Sequence, residues 1–379
     1  MALSRRSLLY KLGAGALVGA AIPPAELCFG VASPPATASW PGGPIRLNRN
    51  ENAYGPSRTV VNAMRESLSL ANRYPDSADS LAEKIARLHA VKPEQVVLGC
   101  GSSELLRMAA VAFLGSGKKI VMASPTFDLI AHFARNAGAE VAAVPLTSRH
   151  AHDLSAMLDR VDASTGLVYI CNPNNPTGSL TLRKDLEVFL SRLPSTVRVL
   201  IDEAYHHYVG GSSSYASFID RPVADGRVMV TRTLSKIYGL AGLRIGYSVS
   251  PVELARQLDS ERLKFGVSVV AVRAAAAALG DAEHVRITAQ RNANDRQEFY
   301  NQANGRMLRV IDSHTNFVML DVGRPADEIV KHFKKNNILA APRIPSFETH
   351  IRVSLGKPAE MKEFWRVWDL LPASHEMRM

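Results

Sequence analysis

The sequence predicts an α/β fold, with a mostly parallel seven-stranded sheet held between helices and a smaller α+β lobe beside it. Two observations carry this expectation. Short, near-continuous apolar runs alternate with helical patterns through the middle of the chain, as strands buried on both faces and joined by helical crossovers do. Glycine- and proline-bearing strings follow several of those runs, at the strand ends where such a sheet carries its functional loops. With 379 residues, 46% of them hydrophobic, the chain has enough apolar surface for one large body of two unequal lobes.

The seven strand-like runs, in order, are residues 96–98, 119–122, 140–144, 167–170, 197–201, 227–230 and 245–249. Gly101 follows the first, Ser124-Pro125 the second and Asn172-Pro173 the fourth, while Asp202 closes the fifth. Past Ser250 a helical stretch leads into an alanine-rich segment at 271–279, and two further strands are expected near 317–320 and 351–353. The expected division is a leader over 1–38, an N-terminal segment over 39–70 that joins the small lobe, a large lobe over 71–270 and a small lobe over 271–379. The sequence shows no internal repeat and no long low-complexity linker.

The leader reads as an export signal. Ser4-Arg5-Arg6-Ser7-Leu8-Leu9 resembles the twin-arginine motif, and a Gly/Ala-rich apolar run over 12–22 follows, too short to span a bilayer. Ala36-Thr37-Ala38 is a small-x-small cleavage site, so the expected mature chain starts at Ser39, lies in the periplasm or otherwise outside the cytoplasm, and reaches there through the twin-arginine machinery. Arg5, Arg6 and Lys11 against Glu26 give this leader +2 of the formal +10, leaving +8. No aromatic-interleaved basic stripe accompanies that charge, so it is expected to be a solvated surface with no nucleic-acid partner. After cleavage two cysteines remain, Cys100 and Cys171, expected to be free thiols.

The candidate site centres on Lys236, in the run Thr233-Leu234-Ser235-Lys236-Ile237-Tyr238-Gly239 that continues to Arg244. Upstream lie Asn172-Pro173-Asn174-Asn175-Pro176-Thr177-Gly178 and Asp202-Glu203-Ala204-Tyr205. Together they offer an amine for an aldehyde, a carboxylate for a protonated pyridine nitrogen, a phenol and an amide for a ring oxygen, and hydroxyls with an arginine for a phosphate. That set is what pyridoxal 5'-phosphate needs. His206 and His207 lack further ligands at metal spacing, and no metal site is expected.

At these residues the chain resembles the fold-type I pyridoxal-phosphate aminotransferases, with an aspartate-aminotransferase-like fold, and within them the histidinol-phosphate aminotransferase branch. The resemblance extends through Asn48-Arg49-Asn50-Glu51-Asn52-Ala53-Tyr54-Gly55-Pro56, Arg73-Tyr74-Pro75-Asp76, Gly101-Ser102-Ser103-Glu104, Ser124-Pro125-Thr126-Phe127, Thr315-Asn316-Phe317-Val318 and Ile351-Arg352-Val353-Ser354, in the family's order. It implies that Lys236 carries the cofactor and shuttles a proton, with Asp202 and Tyr205 as its catalytic partners. Ser102, Ser103, Thr233, Ser235 and Arg244 are implied at the phosphate, Phe127 on the ring face, and Asn175 with Tyr205 at the ring oxygen. Arg352, with Asn175, is implied to receive the substrate's anionic group. Tyr74 and Tyr54 are implied to reach the neighbouring subunit's cofactor phosphate and substrate, so a homodimer with shared sites is expected.

Two departures from the family bear on substrate. Phe127 stands where tyrosine is commoner, keeping the stacking surface and losing a hydroxyl. Many relatives carry a second arginine where this chain has Leu339 or Ala341, with Arg343 as a possible replacement, so a small donor with one carboxylate is expected over histidinol phosphate. The expected activity is transfer of an amino group between an amino compound and a 2-oxo acid. The alternatives are a decarboxylase or lyase on the same cofactor, similar to phosphothreonine decarboxylase, and a non-catalytic pyridoxal-phosphate-binding domain.

Overall fold

The computed structural model describes residues 43–75, 78–212, 214–220, 222 and 225–372; the arginine pair of the leader and its cleavage site lie outside them. Strand β1 (Ile45–Leu47) comes first, then helices α1 (Arg58–Ser67) and α2 (Ala78–His89). The Ser57 hydroxyl caps α1 by accepting from the Val60 N–H. The central sheet is built from β2 (Val96–Gly99), β3 (Lys119–Ser124), β4 (Glu140–Pro145), β5 (Thr165–Cys171), β6 (Arg198–Asp202), β7 (Val228–Thr233) and β8 (Gly246–Val249). All seven runs expected to be strands are strands.

Their spatial order is β2-β8-β7-β6-β5-β3-β4. Strands β3 to β7 pair in parallel, and β8 runs antiparallel to both of its neighbours. Helices α3 (Ser102–Phe113), α4 (Leu129–Asn136), α5 (Leu154–Leu158) and α6 (Arg183–Arg192) connect strands, and α7 (Val252–Asp259) follows the last. Every residue of β5 is buried. Its side chains alternate between two apolar clusters, Val168 and Ile170 in one, Leu167, Tyr169 and Cys171 in the other. Burial on both faces is why the run is apolar without a polar alternation, and each such aliphatic side chain contributes about 1.5–3 kcal/mol. Leu167→Ala would leave a cavity in that layer and cost about 2–5 kcal/mol.

Helices α8 (Val269–Ala278) and α9 (Ala282–Gly305) lead to the small lobe. There β9 (Arg309–Ile311), β10 (Phe317–Asp321) and β12 (His350–Ser354) form an antiparallel sheet around β10. Between β10 and β12 lie α10 (Ala326–Lys335) and β11 (Ile338–Ala340), and α11 (Pro358–Trp368) ends the lobe. Strand β1 pairs in parallel with β11 of this lobe. The lobe has its own core, in which the Phe333 and Phe364 rings stack 4.5 Å apart. Helices α1 and α8 depart from the division expected at 70 and 271. Val60 of the first and Ala271, Val272, Ala274 and Ala275 of the second belong to a large-sheet cluster, and the alanine-rich face of α8 allows close packing there.

Cys100 and Cys171 stand at the ends of β2 and β5 with three strands between them, and both are free thiols. Among the described residues no helix is long and apolar enough to cross a membrane.

Candidate active site

A cavity of about 1110 Å³ opens at the carboxyl ends of β2, β3, β5, β6 and β7 and is roofed by small-lobe residues 341–346 with Arg352. Asp202 reaches it because β6 ends there, in register with Cys171 on one side and Thr231 on the other. The carboxylate is 2% exposed and accepts from the Tyr169 hydroxyl at 3.1 Å and the Ala204 N–H at 3.2 Å. Burial pushes its pKa up to about 6 against those hydrogen bonds. Among the described residues no cation pairs with it. A buried carboxylate that lacks a cation suits a protonated ring nitrogen. Glu203 next to it faces away and forms a buried ion pair with Arg232, Oε2 to Nη2 3.0 Å.

Lys236 follows β7 in a turn that needs Gly239, whose φ is 70° and where a Cβ would collide with the Gly55 backbone. Its Nζ donates to the Asn50 carbonyl at 3.0 Å and the Arg49 carbonyl at 3.3 Å, and lies 5.6 Å from the Tyr205 ring centre. Its pKa is lowered to about 8, by burial first and then by Arg352 and Arg244, against the pull of Glu51 and Asp202. The amine is therefore neutral over part of the working pH range, as a proton carrier must be.

The phosphate side is a cradle of small residues. Gly101, at φ 75°, precedes α3, and it offers no side-chain cap to the first-turn amides beside Ser102 and Ser103. A Cβ at Gly101 would strike the Arg244 guanidinium. Arg244 Nη1 donates to Ser235 Oγ at 3.3 Å, and the Thr233 hydroxyl caps the turn by accepting from Ser235 N at 3.0 Å. Phe127 lines the cavity with one side and packs on the sheet cluster with the other. These residues fit a phosphorylated pyridine: an anion cradle at one end, an unpaired carboxylate deep in the floor, and an aromatic wall.

Opposite them, Arg352 Nη1 donates to Asn175 Oδ1 at 2.6 Å and Nη2 to the Asn48 carbonyl at 3.2 Å. Those bonds hold the guanidinium plane still. Tyr54 and Tyr74 do not line this cavity. The Tyr54 hydroxyl donates to Asp295 Oδ2 at 2.8 Å, and Tyr74, 68% exposed, stacks on Phe265 with ring centres 4.2 Å apart.

Two contributors, Tyr169 and Asn50, carry no role in the expectations from sequence. Tyr169 anchors Asp202, and its signal is a hydroxyl inside an otherwise apolar buried strand, which needs a partner. Asn50, within a quoted motif, donates through Nδ2 to the Tyr205 hydroxyl at 3.0 Å. Arg343 lines the same cavity as Arg352, its Nε 3.2 Å from Asp327 Oδ2. Among the described residues no cluster could hold a metal ion; His206 and His207 bond to Tyr215 and Tyr238 instead.

The family profile for aminotransferase class I and II matches residues 43–367. The chain belongs to that family. As such it is a pyridoxal-phosphate-dependent aminotransferase, and the cavity is its candidate active site. The chain is 37% identical over 314 residues to the histidinol-phosphate aminotransferase of Geobacillus thermodenitrificans, covering 82% of this chain and 86% of that one. It is 35% identical to that of Bacillus subtilis, over 84% of this chain and 89% of the other. The Sinorhizobium meliloti histidinol-phosphate aminotransferase, solved in complex with pyridoxal-5'-phosphate, superposes with a TM-score of 0.80 at 29% identity, over 86% of this chain and 91% of that one.

When bound in this aminotransferase, the cofactor supplies an aldehyde that takes the amino group and a ring that accepts electrons from the substrate carbon. The protein's part follows from the geometry. Asp202 would hold the ring nitrogen protonated, Tyr205 and Asn175 would hold the ring oxygen, and Arg352 would orient the substrate so that Lys236 could take and return the proton at the substrate Cα.

Proposed function

We propose that the amino donor is a primary amine carrying a phosphate, with histidinol phosphate the donor to test first, and that the acceptor is a 2-oxo acid. The observation that carries this is Arg352. Its guanidinium is braced by Asn175 and Asn48, and its Nε is buried with no hydrogen-bond partner among the described residues. A buried guanidinium with an unmet donor fits an anion gripped in its plane. The cavity holds Arg46, Arg49, Arg135, Lys236, Arg244, Arg343 and Arg352 against Glu51, Asp128 and Asp202, which favours a dianion even after one phosphate is held by Arg244. The names of the relatives that are 37% and 35% identical point the same way.

A second reading keeps the expectation of a small monocarboxylate donor. Ala341 offers no charge, and Asp327 draws on Arg343, which weakens the second cation. Comparing kcat/KM for histidinol phosphate, histidinol and a series of amino acids separates the two. Histidinol phosphate leading by tenfold or more supports the first; an amino acid leading supports the second. Release of carbon dioxide in place of a 2-oxo product would replace both with a decarboxylase.

We also propose export and shared sites. Arg5→Lys with Arg6→Lys should retain the protein in the cytoplasm, and a mature chain starting elsewhere than Ser39 would correct the cleavage site. A dimer mixing Tyr74→Phe chains with Lys236→Ala chains should regain activity where both lesions fall in one site. No recovery in confirmed mixed dimers would mean that each chain completes its own site.

A further inference from the structure

Asn50 is 2% exposed and holds a left-handed backbone, φ 54°, which asparagine tolerates better than most residues. Five hydrogen bonds meet on it. Its N–H donates to Ser354 Oγ at 2.8 Å, and the Ser354 hydroxyl lies 3.4 Å from Asn50 Oδ1. Its Nδ2 donates to the Tyr205 hydroxyl at 3.0 Å. Its carbonyl accepts from Lys236 Nζ at 3.0 Å and from Asn316 Nδ2 at 3.1 Å. Ser354 sits two residues beyond Arg352 on β12. One residue thus touches the base and the phenol, and it is anchored to the strand that grips the substrate.

The direction of the Asn50–Tyr205 bond matters. The Asn50 carboxamide turns its oxygen toward the Ser354 hydroxyl and its NH₂ toward Tyr205, and the NH₂ can only donate. The phenol oxygen is then an acceptor at that contact, and its proton is left for an acceptor inside the cavity that Tyr205 lines. Burial holds the Tyr205 pKa well above the ordinary phenol value, so that proton stays in place.

We infer that Asn50 is a positioning residue for amino transfer: its carboxamide makes Tyr205 a hydrogen-bond donor into the cavity, and its backbone links Lys236 to the Arg352 strand. The inference rests on pyridoxal phosphate occupying this cavity. A phenol that donates to the ring oxygen favours the anionic oxygen, so losing that donation raises the pH at which the lysine-bound cofactor loses its proton.

The test uses the holoenzyme of Asn50→Gly and Asn50→Asp, read by pH titration of the cofactor absorbance, by kcat and KM, and by Tm. Glycine keeps the left-handed backbone and removes the amide; aspartate keeps the shape but accepts where the amide donated. For Asn50→Gly the absorbance midpoint should rise by about one unit and kcat fall about tenfold, with KM within about twofold of wild type. Asn50→Asp should shift the midpoint further in the same direction. If either variant fails to fold, Ser354→Ala, which removes the anchor and leaves Asn50, should give a smaller upward shift. Folded variants whose midpoints match wild type overturn the inference, even if their Tm is lower. A wild-type holoenzyme with no lysine-bound absorbance band would overturn the cofactor reading along with it.

Discussion

The two walls of the active site are built differently. On the sheet side, Asp202, Thr233, Ser235 and Arg244 stand at or beside strand ends, and their partners are close in sequence or in the next strand, as with Arg244 and Ser235 or Thr233 and the Ser235 N–H. On the small-lobe side the bonds cross the whole chain. Arg352 meets Asn48 and Asn175, and Asn50 meets Ser354, at sequence separations of 304, 177 and 304 residues. The sheet side is a rigid floor that holds the reacting groups. The small-lobe side is a grip whose geometry depends on how the lobes meet. This contrast predicts that lesions on the floor act on turnover and cofactor, and lesions on the grip act on substrate binding.

The largest effect should come from Lys236→Ala. Turnover should fall on the order of 10³-fold or more, as loss of a positioned base does, while donor binding persists. Borohydride reduction should no longer fix the cofactor to the protein; a reducible link mapping to another lysine would break the assignment.

Asp202 should report through stability as well. In the cofactor-free protein its pKa is raised from 3.8 to about 6 by burial. A raised carboxyl contributes stability that is full below its unfolded pKa and is lost as pH rises through its folded pKa. Between roughly pH 4 and 6 the cofactor-free wild type should therefore lose about 3 kcal/mol that Asp202→Asn does not lose. Parallel Tm-versus-pH curves would show that the carboxylate is not desolvated as described. Added cofactor should reverse the ranking, stabilising wild type more than the variant.

On the grip, Arg352→Ala should raise KM for an anionic donor about tenfold to a hundredfold, from loss of a charge-assisted contact of about 1.5–3 kcal/mol. A collapse of kcat with unchanged KM would place Arg352 on the floor in function and erase the contrast. The smallest change belongs to Asp327→Asn. Freeing Arg343 from a partly exposed ion pair should lower the KM for a phosphate donor by no more than about fivefold and leave a monocarboxylate donor unaffected.

The same contrast explains what was legible in the sequence. The seven strands and the site residues at their ends follow from local patterns: apolar runs for strands buried on two faces, with glycine, proline and aspartate where the runs stop. Asp202 and Lys236 could be assigned because each lies inside such a pattern. Asn50 could not, because its role arises when β1 and β11 pair and bring distant segments over the cavity. Tyr169 stood in plain view, but which buried acceptor its hydroxyl meets depends on β5 and β6 lying side by side. Helix α8 departs from the expected division for a related reason: its alanine-rich face carries no mark of what it packs against.

The central claim is that this cavity moves an amino group through Lys236 using pyridoxal phosphate. It is tested most directly by mixing holoenzyme with histidinol phosphate in a single turnover and following absorbance. The account predicts that the lysine-bound cofactor band is replaced by that of the aminated cofactor, with one equivalent of carbonyl product and the reverse on adding a 2-oxo acid. An unchanged band with every amino donor offered, or loss of carbon dioxide without an aminated cofactor, would contradict it.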